Sequence, residues 1–165
     1  MTMDHEKAGL PSPRVRGLLL TLGHRLPSPV PPPGPFVGAI RHGAFVTVSG
    51  QVPLVDGDVL HRGHVGVDVS IEDAQACAKC ALLNAMAHLE TAAGSLDEVI
   101  GFPRLAGYVA ADARFTQHGR VIDAASHLLL ELFPDCGLHA RIAVGVSSLP
   151  RGVPVEIELS AILRT

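Results

Sequence analysis

Near the carboxyl end Val153, Val155, Ile157, Leu159 and Ala161 alternate with Pro154, Glu156, Glu158, Ser160 and Ile162. That is the period of a strand with one apolar and one largely polar face. The run before it repeats the pattern, with Ile142, Val144 and Val146 on one side, Arg141, Ala143 and Gly145 on the other, and residues 147–152 as a turn. Two such runs predict a closing hairpin. With their apolar faces aligned, Arg141 comes up on the same face as Glu156 and Glu158, within reach of a long side chain.

The rest of the chain reads in the same way. Val15 to Leu22 suits one or two helical turns after a loose start, and Pro27 to Pro35 is a stiff, extended connector. Residues 37–40 and 44–48, split by Arg41-His42-Gly43, predict a hairpin, and residues 52–54 a short strand before the Asp56-Gly57-Asp58 turn. Ser70 followed by Asp73 resembles a capping box ahead of a helix whose apolar stripe runs through Ala74, Cys77, Ala78, Ala81, Ala85 and Leu89 to Ala93, with Gly94 as its stop. Residues 99–110 predict a strand, in which Pro103 marks an edge or a bulge. A second helix spans 117–133 and ends at Pro134. This order predicts an α+β layer, a mostly antiparallel sheet with two helices on one face. The division expected is an amino-terminal arm and proline-rich connector over 1–33, then one domain over 34–165.

Composition changes this picture in two respects. Hydrophobic residues make up 47% of the 165 and charged residues 18%, with a mean hydropathy of +0.33; a monomer of this size lacks polar groups enough to cover its surface, so an oligomer is expected. A net charge of -3 from 13 scattered Lys and Arg against 16 Asp and Glu does not supply the dense basic face that nucleic acid requires. Three cysteines leave an odd thiol in any pairing. Gly17 to Gly23 is too short to span a bilayer, and the Arg14, Arg16 and Leu18-Leu19-Leu20 run falls below the length of a leader's apolar segment. A reducing, cytoplasmic setting without membrane contact is therefore expected.

Several constellations read as structure. Cys77-x-x-Cys80 falls in mid-helix, away from a thiolate-stabilising N-terminus, and reads as packing. His61, His64, Asp56 and Asp58 lack the spacing of a closed metal site, and His88, His127 and His139 show no paired ligand spacing. No Gly-x-Ser-x-Gly and no phosphate-cradling loop is present. Neither a metal nor a cofactor is expected.

Taken together, Gly34-Pro35-Phe36, Ser49-Gly50-Gln51-Val52-Pro53, Asn84, the Arg141 strand, Leu149-Pro150 and Val155-Glu156-Ile157-Glu158 resemble the RidA/YjgF family of imine and enamine deaminases over residues 34–165. Residues 17–33 and 119–140 look like a longer branch often labelled endoribonuclease-like. The resemblance implies a chorismate-mutase-like α+β subunit, a homotrimer with clefts between subunits, and a 2-iminobutanoate/2-iminopropanoate deaminase-like hydrolase that needs no cofactor. It gives Arg141 the substrate carboxylate, through the bidentate pair that guanidinium makes and lysine does not, and Glu156 the attacking water. Phe36, Ser49, Gly50 and Ala143 would line the substrate site. Many family members carry tyrosine at the position of Phe36 and cysteine at that of Ala143; both changes remove polar groups, so the alternative is a non-catalytic trimer that binds a small carboxylate-bearing metabolite.

Overall fold

The computed structural model describes residues 14–165; the loose start expected before residue 14 lies outside them. Seven strands and three helices follow in the order α1 (Arg14–Thr21), β1 (Ala39–His42), β2 (Phe45–Gln51), β3 (Leu54–Val55), β4 (Asp58–Val59), α2 (Ile71–Ala93), β5 (Val99–Ala110), α3 (His118–Leu132), β6 (Ala140–Val146) and β7 (Val155–Leu163). Five strands form one sheet in the order β1-β2-β7-β5-β6, while β3 and β4 make a separate small hairpin. Its turn uses positive φ at Asp56 (52°) and Gly57 (88°), the twist that a tight hairpin favours.

The helices form where capping and periodicity coincide. Ser70 Oγ accepts the Asp73 N–H at 3.0 Å and donates to the Asp73 carboxylate, and Gly94 ends α2 at φ 84°. The stripe Ala74, Cys77, Ala78, Ala81, Ala85 and Leu89 is buried against β2 and β7, and Val121, Ala125, Leu128 and Leu132 of α3 join the same core. Cys77 and Cys80 are packing residues: burial, first of all, pushes their thiols up to about 12 and about 11. Pro103 sits where β5 shifts register against β7 and before β6 begins to pair at Arg104, so no ladder bond is lost at its missing N–H. It marks a bulge, and β5 is a central strand.

The closing hairpin is not formed. β6 pairs in parallel with β5, Leu105 opposite Arg141 and Gly107 opposite Ala143, and β7 pairs antiparallel with the other side of β5. Helix α3 provides the long crossover a parallel pair needs, and residues 147–154 carry the chain past the end of β5, tied by Gly63 N–H to Gly152 O at 2.9 Å and Ala110 N–H to Pro154 O at 2.9 Å.

The amino-terminal segment also departs from expectation. Val15 and Leu19 lie within the main core, and the Asp97 carboxylate accepts the first N–H groups of α1, Arg14 at 2.8 Å and Val15 at 3.0 Å. The core is thus continuous across the boundary expected at 33/34. Among the described residues no layer covers the sheet face opposite α2 and α3, and Ile40, Phe45 and Ile142 on it are 47%, 41% and 38% exposed.

Candidate active site

Glu156 and Glu158 project from β7 on that uncovered face, between the buried Val155, Ile157 and Leu159. Across from Glu158, β2 carries a bulge beside Glu156: Val48 pairs with Leu159 and Gln51 with Ile157, so Ser49 and Gly50 together oppose the single residue Glu158. The bulge brings the Gly50 backbone so close that a Cβ there would lie 2.0 Å from Glu156 Oε1. Glycine leaves that space to the carboxyl, which a Cβ would displace. Burial, and secondarily the charge on Glu158, raise the pKa of Glu156. It forms no ion pair among the described residues.

Two of the other expected residues lie beside it. Ser49 donates from Oγ to Val37 O at 2.6 Å and from its N–H to Gly38 O at 2.9 Å, which fixes the segment carrying Phe36. The Phe36 ring folds back over Gly34 and is 53% exposed. Asn84 Nδ2 donates to Val52 O at 2.8 Å and Leu54 O at 3.1 Å, holding the chain just after the bulge. Ser49, Gly50 and Glu156 therefore gather around one strand irregularity, and Phe36 precedes the segment that Ser49 anchors.

Arg141 does not join them. Its register partner Leu105 and, one strand further, Leu159 belong to the helix-covered face, so Arg141 and Ala143 point towards α3, away from the side that carries Glu156 and Glu158. The expected common face is corrected, and the reason is space. Gly107 and Gly145 lie under α3, where a Cβ would meet Ile122 Cδ1 at 2.5 Å and His118 Nε2 at 2.4 Å; only a face of small residues lets the helix approach this closely. Ile142 and Val144 are left on the open side. Ala143 is half-buried against the core.

Arg141 is held by residues that the sequence did not single out. Its Nη1 donates to Asp123 Oδ1 at 2.7 Å and to Ser126 Oγ at 3.1 Å, both on α3, and its side chain is 28% exposed. Ser126 Oγ and His139 Nε2 are 3.0 Å apart, and His139 Nδ1 lies 2.7 Å from Gly137 O. A carbonyl only accepts, so Nδ1 carries a proton and donates to Gly137 O. The signal was the Asp123/Ser126 pair, three residues apart on one helix face, obscured because nothing local showed which strand would run beneath it. The cavities of about 450 Å³ beside Arg14, Phe133 and Cys136 and about 510 Å³ beside His64, Phe115 and His118 contain neither Arg141 nor Glu156.

An α+β layer of this topology, with a carboxyl set against a bulge glycine, defines a chorismate-mutase-like subunit. The family model "YjgF/chorismate_mutase-like, putative endoribonuclease" matches residues 19–159, and the chain belongs to this YjgF/RidA family. Protein TCP17 of Trypanosoma cruzi is 34% identical over 148 residues, 89% of this chain and 92% of that protein. The crystal structure of Atu1372 from Agrobacterium tumefaciens, a protein of unknown function, shares 33% identity with a TM-score of 0.85, over 91% of this chain and 92% of that one. A Shewanella oneidensis protein described as a "putative endoribonuclease" shares 30% identity with a TM-score of 0.87, over 90% of this chain and 99% of that one.

Proposed function

We infer that the protein is a hydrolytic deaminase of reactive 2-imino and enamine acids, working as a homotrimer whose clefts each combine Arg141 of one subunit with Glu156 of its neighbour. The observation that carries this reading is the half-buried, unpaired Glu156 carboxyl with its raised pKa, placed against Gly50. A carboxyl with a raised pKa is a stronger base than an ordinary carboxylate, and so better able to take a proton from water. Arg141 retains Nε and Nη2 for a carboxylate. Because the two lie on opposite faces of one sheet with β5 between their strands, an inter-subunit cleft is the arrangement in which they serve one substrate.

The chemistry needs orientation more than activation, since a protonated C=N carbon is already electrophilic. Arg141 fixes the carboxylate, Glu156 accepts a proton from water as its oxygen bonds to the imine carbon, and the carbinolamine forms. Glu156 returns that proton to nitrogen, and as the C–N bond breaks the hydroxyl oxygen forms the C=O bond and gives its own proton to the Glu156 carboxylate, which passes it to the departing ammonia and leaves a 2-oxo acid. Phe36 and Ala143 present apolar surface to the substrate side chain, and the Ser49 hydroxyl, its proton committed to Val37 O, can accept a hydrogen bond but not donate one.

The test is ammonia release from freshly generated 2-iminopropionate, which the protein should accelerate above the solvent rate. Arg141→Lys keeps the charge and loses the fork, and should lower kcat/KM by about 10- to 100-fold, the worth of a charge-assisted bidentate contact. No acceleration by the wild-type protein overturns the reading. A second reading, a non-catalytic trimer that binds a small carboxylate, is favoured by the apolar Phe36 and Ala143. It predicts thermal stabilisation by 2-oxo acids, lost in Arg141→Ala, with no ammonia released above background.

A further inference from the structure

We propose that Asp123 and Ser126 are positioning residues which confine Arg141 to one carboxylate-binding edge, and that Gly119 keeps this edge open. The proposal rests on the reading of Arg141 as the carboxylate anchor. A guanidinium offers two bidentate edges, an end-on edge of Nη1 and Nη2 and a side-on edge of Nε and Nη2. Nη1 has two hydrogens. Asp123 Oδ1 at 2.7 Å and Ser126 Oγ at 3.1 Å take both, which closes the end-on edge.

The side-on edge makes no hydrogen bond among the described residues. The same chain shows how a carboxylate uses such an edge, for Arg16 grips Glu90 through Nε at 2.8 Å and Nη2 at 2.5 Å. Gly119 is the second observation. It lies in the first turn of α3, where glycine costs roughly 0.5–1 kcal/mol of helix stability relative to alanine, and it has no positive φ to explain its presence. A Cβ built there meets a single atom within 4 Å, Nη2 of Arg141 at 3.6 Å. Any side chain longer than alanine extends over the edge that Asp123 and Ser126 leave free. The His139 ring, with Nε2 3.0 Å from Ser126 Oγ, fixes Ser126 in turn.

The consequence is a substrate held in one orientation relative to the sheet, its carboxylate beside the start of α3. The experiment measures both ammonia release and equilibrium binding of 2-oxobutyrate, with melting temperature as the folding control. Gly119→Leu should melt at or above the wild-type temperature and lose binding by about 10-fold or more, a bidentate contact obstructed. Asp123→Ala should raise KM by about 10-fold with kcat within about twofold, and Asp123→Asn, which still accepts the Nη1 hydrogen bond, should recover most of it. Unchanged binding in Gly119→Leu, or a KM untouched in Asp123→Ala, overturns the proposal while leaving the deaminase reading intact. Wild-type binding without ammonia release overturns the deaminase reading and leaves this proposal to the binding arm. Wild-type protein that neither binds nor turns over overturns both.

Discussion

Glu156 is held in a state that costs the fold something at neutral pH. Its carboxyl pKa is raised, first by burial and then by Glu158, so the folded chain favours the protonated form more than the unfolded chain does. Below the ordinary carboxylate range both states are neutral and nothing is lost; as pH climbs through the folded-state value, ionising a half-buried group erodes stability. Glu156→Gln should therefore melt above wild type at about pH 8, with the difference closing by about pH 4. Equal melting temperatures across that span, by calorimetry, would contradict the burial assigned here. The family motifs put Arg141, Glu156, Ser49 and Gly50 forward as candidates, and the structure brings the last three together. The side on which Arg141 projects was not legible in the sequence. Alternation says which residues share a face, not which face is covered, and the bulkier Ile142 and Val144 suggested the wrong one because the decisive quantity was the room α3 needs above Gly107 and Gly145.

At the scale of elements, α2, α3 and β5 lie within a residue or two of where periodicity and caps put them, because their signals are local. The pairing of β6 was illegible for the opposite reason. Residues 147–154 are long enough either to turn back or to cross the end of β5, and only the packing of α3 between β5 and β6 decides it. Helix α1 illustrates the same limit: helical turns from Val15 to Leu22 were visible, but the Asp97 carboxylate that receives its first N–H groups stands 82 and 83 residues away. Asp97→Ala should cost about 1 kcal/mol, as for other lost N-caps, lowering the melting temperature by roughly 2–4 °C for a chain of this size. A variant that melts with wild type would show α1 to be an appendage instead of part of the core.

For the whole molecule, the uncovered sheet face and the open β6 edge are the features a single chain leaves unexplained. Ile40, Phe45 and Ile142 lie exposed beside the polar positions Thr47, Glu156 and Glu158, and 47% hydrophobic composition foreshadowed a surface that self-association would cover. In the proposed homotrimer that assembly also brings the edge carrying Arg141 to a neighbour, whose Glu156 and Gly50 bulge would supply the remaining half of a cleft. The family's "endoribonuclease" description finds little electrostatic support in a chain of net charge -3.

Whether Arg141 and Glu156 act on one substrate across a subunit boundary is decided by complementation. Arg141→Ala and Glu156→Gln chains, each inactive alone in ammonia release from 2-iminopropionate, are unfolded together in equal amounts and refolded as a mixture that sediments at three times the 17.3 kDa chain mass. If each cleft draws its arginine and its glutamate from different chains, random assembly restores about a quarter of wild-type activity. Activity that stays at the level of the separate variants, in a mixture shown to contain hybrid trimers, would contradict the claim.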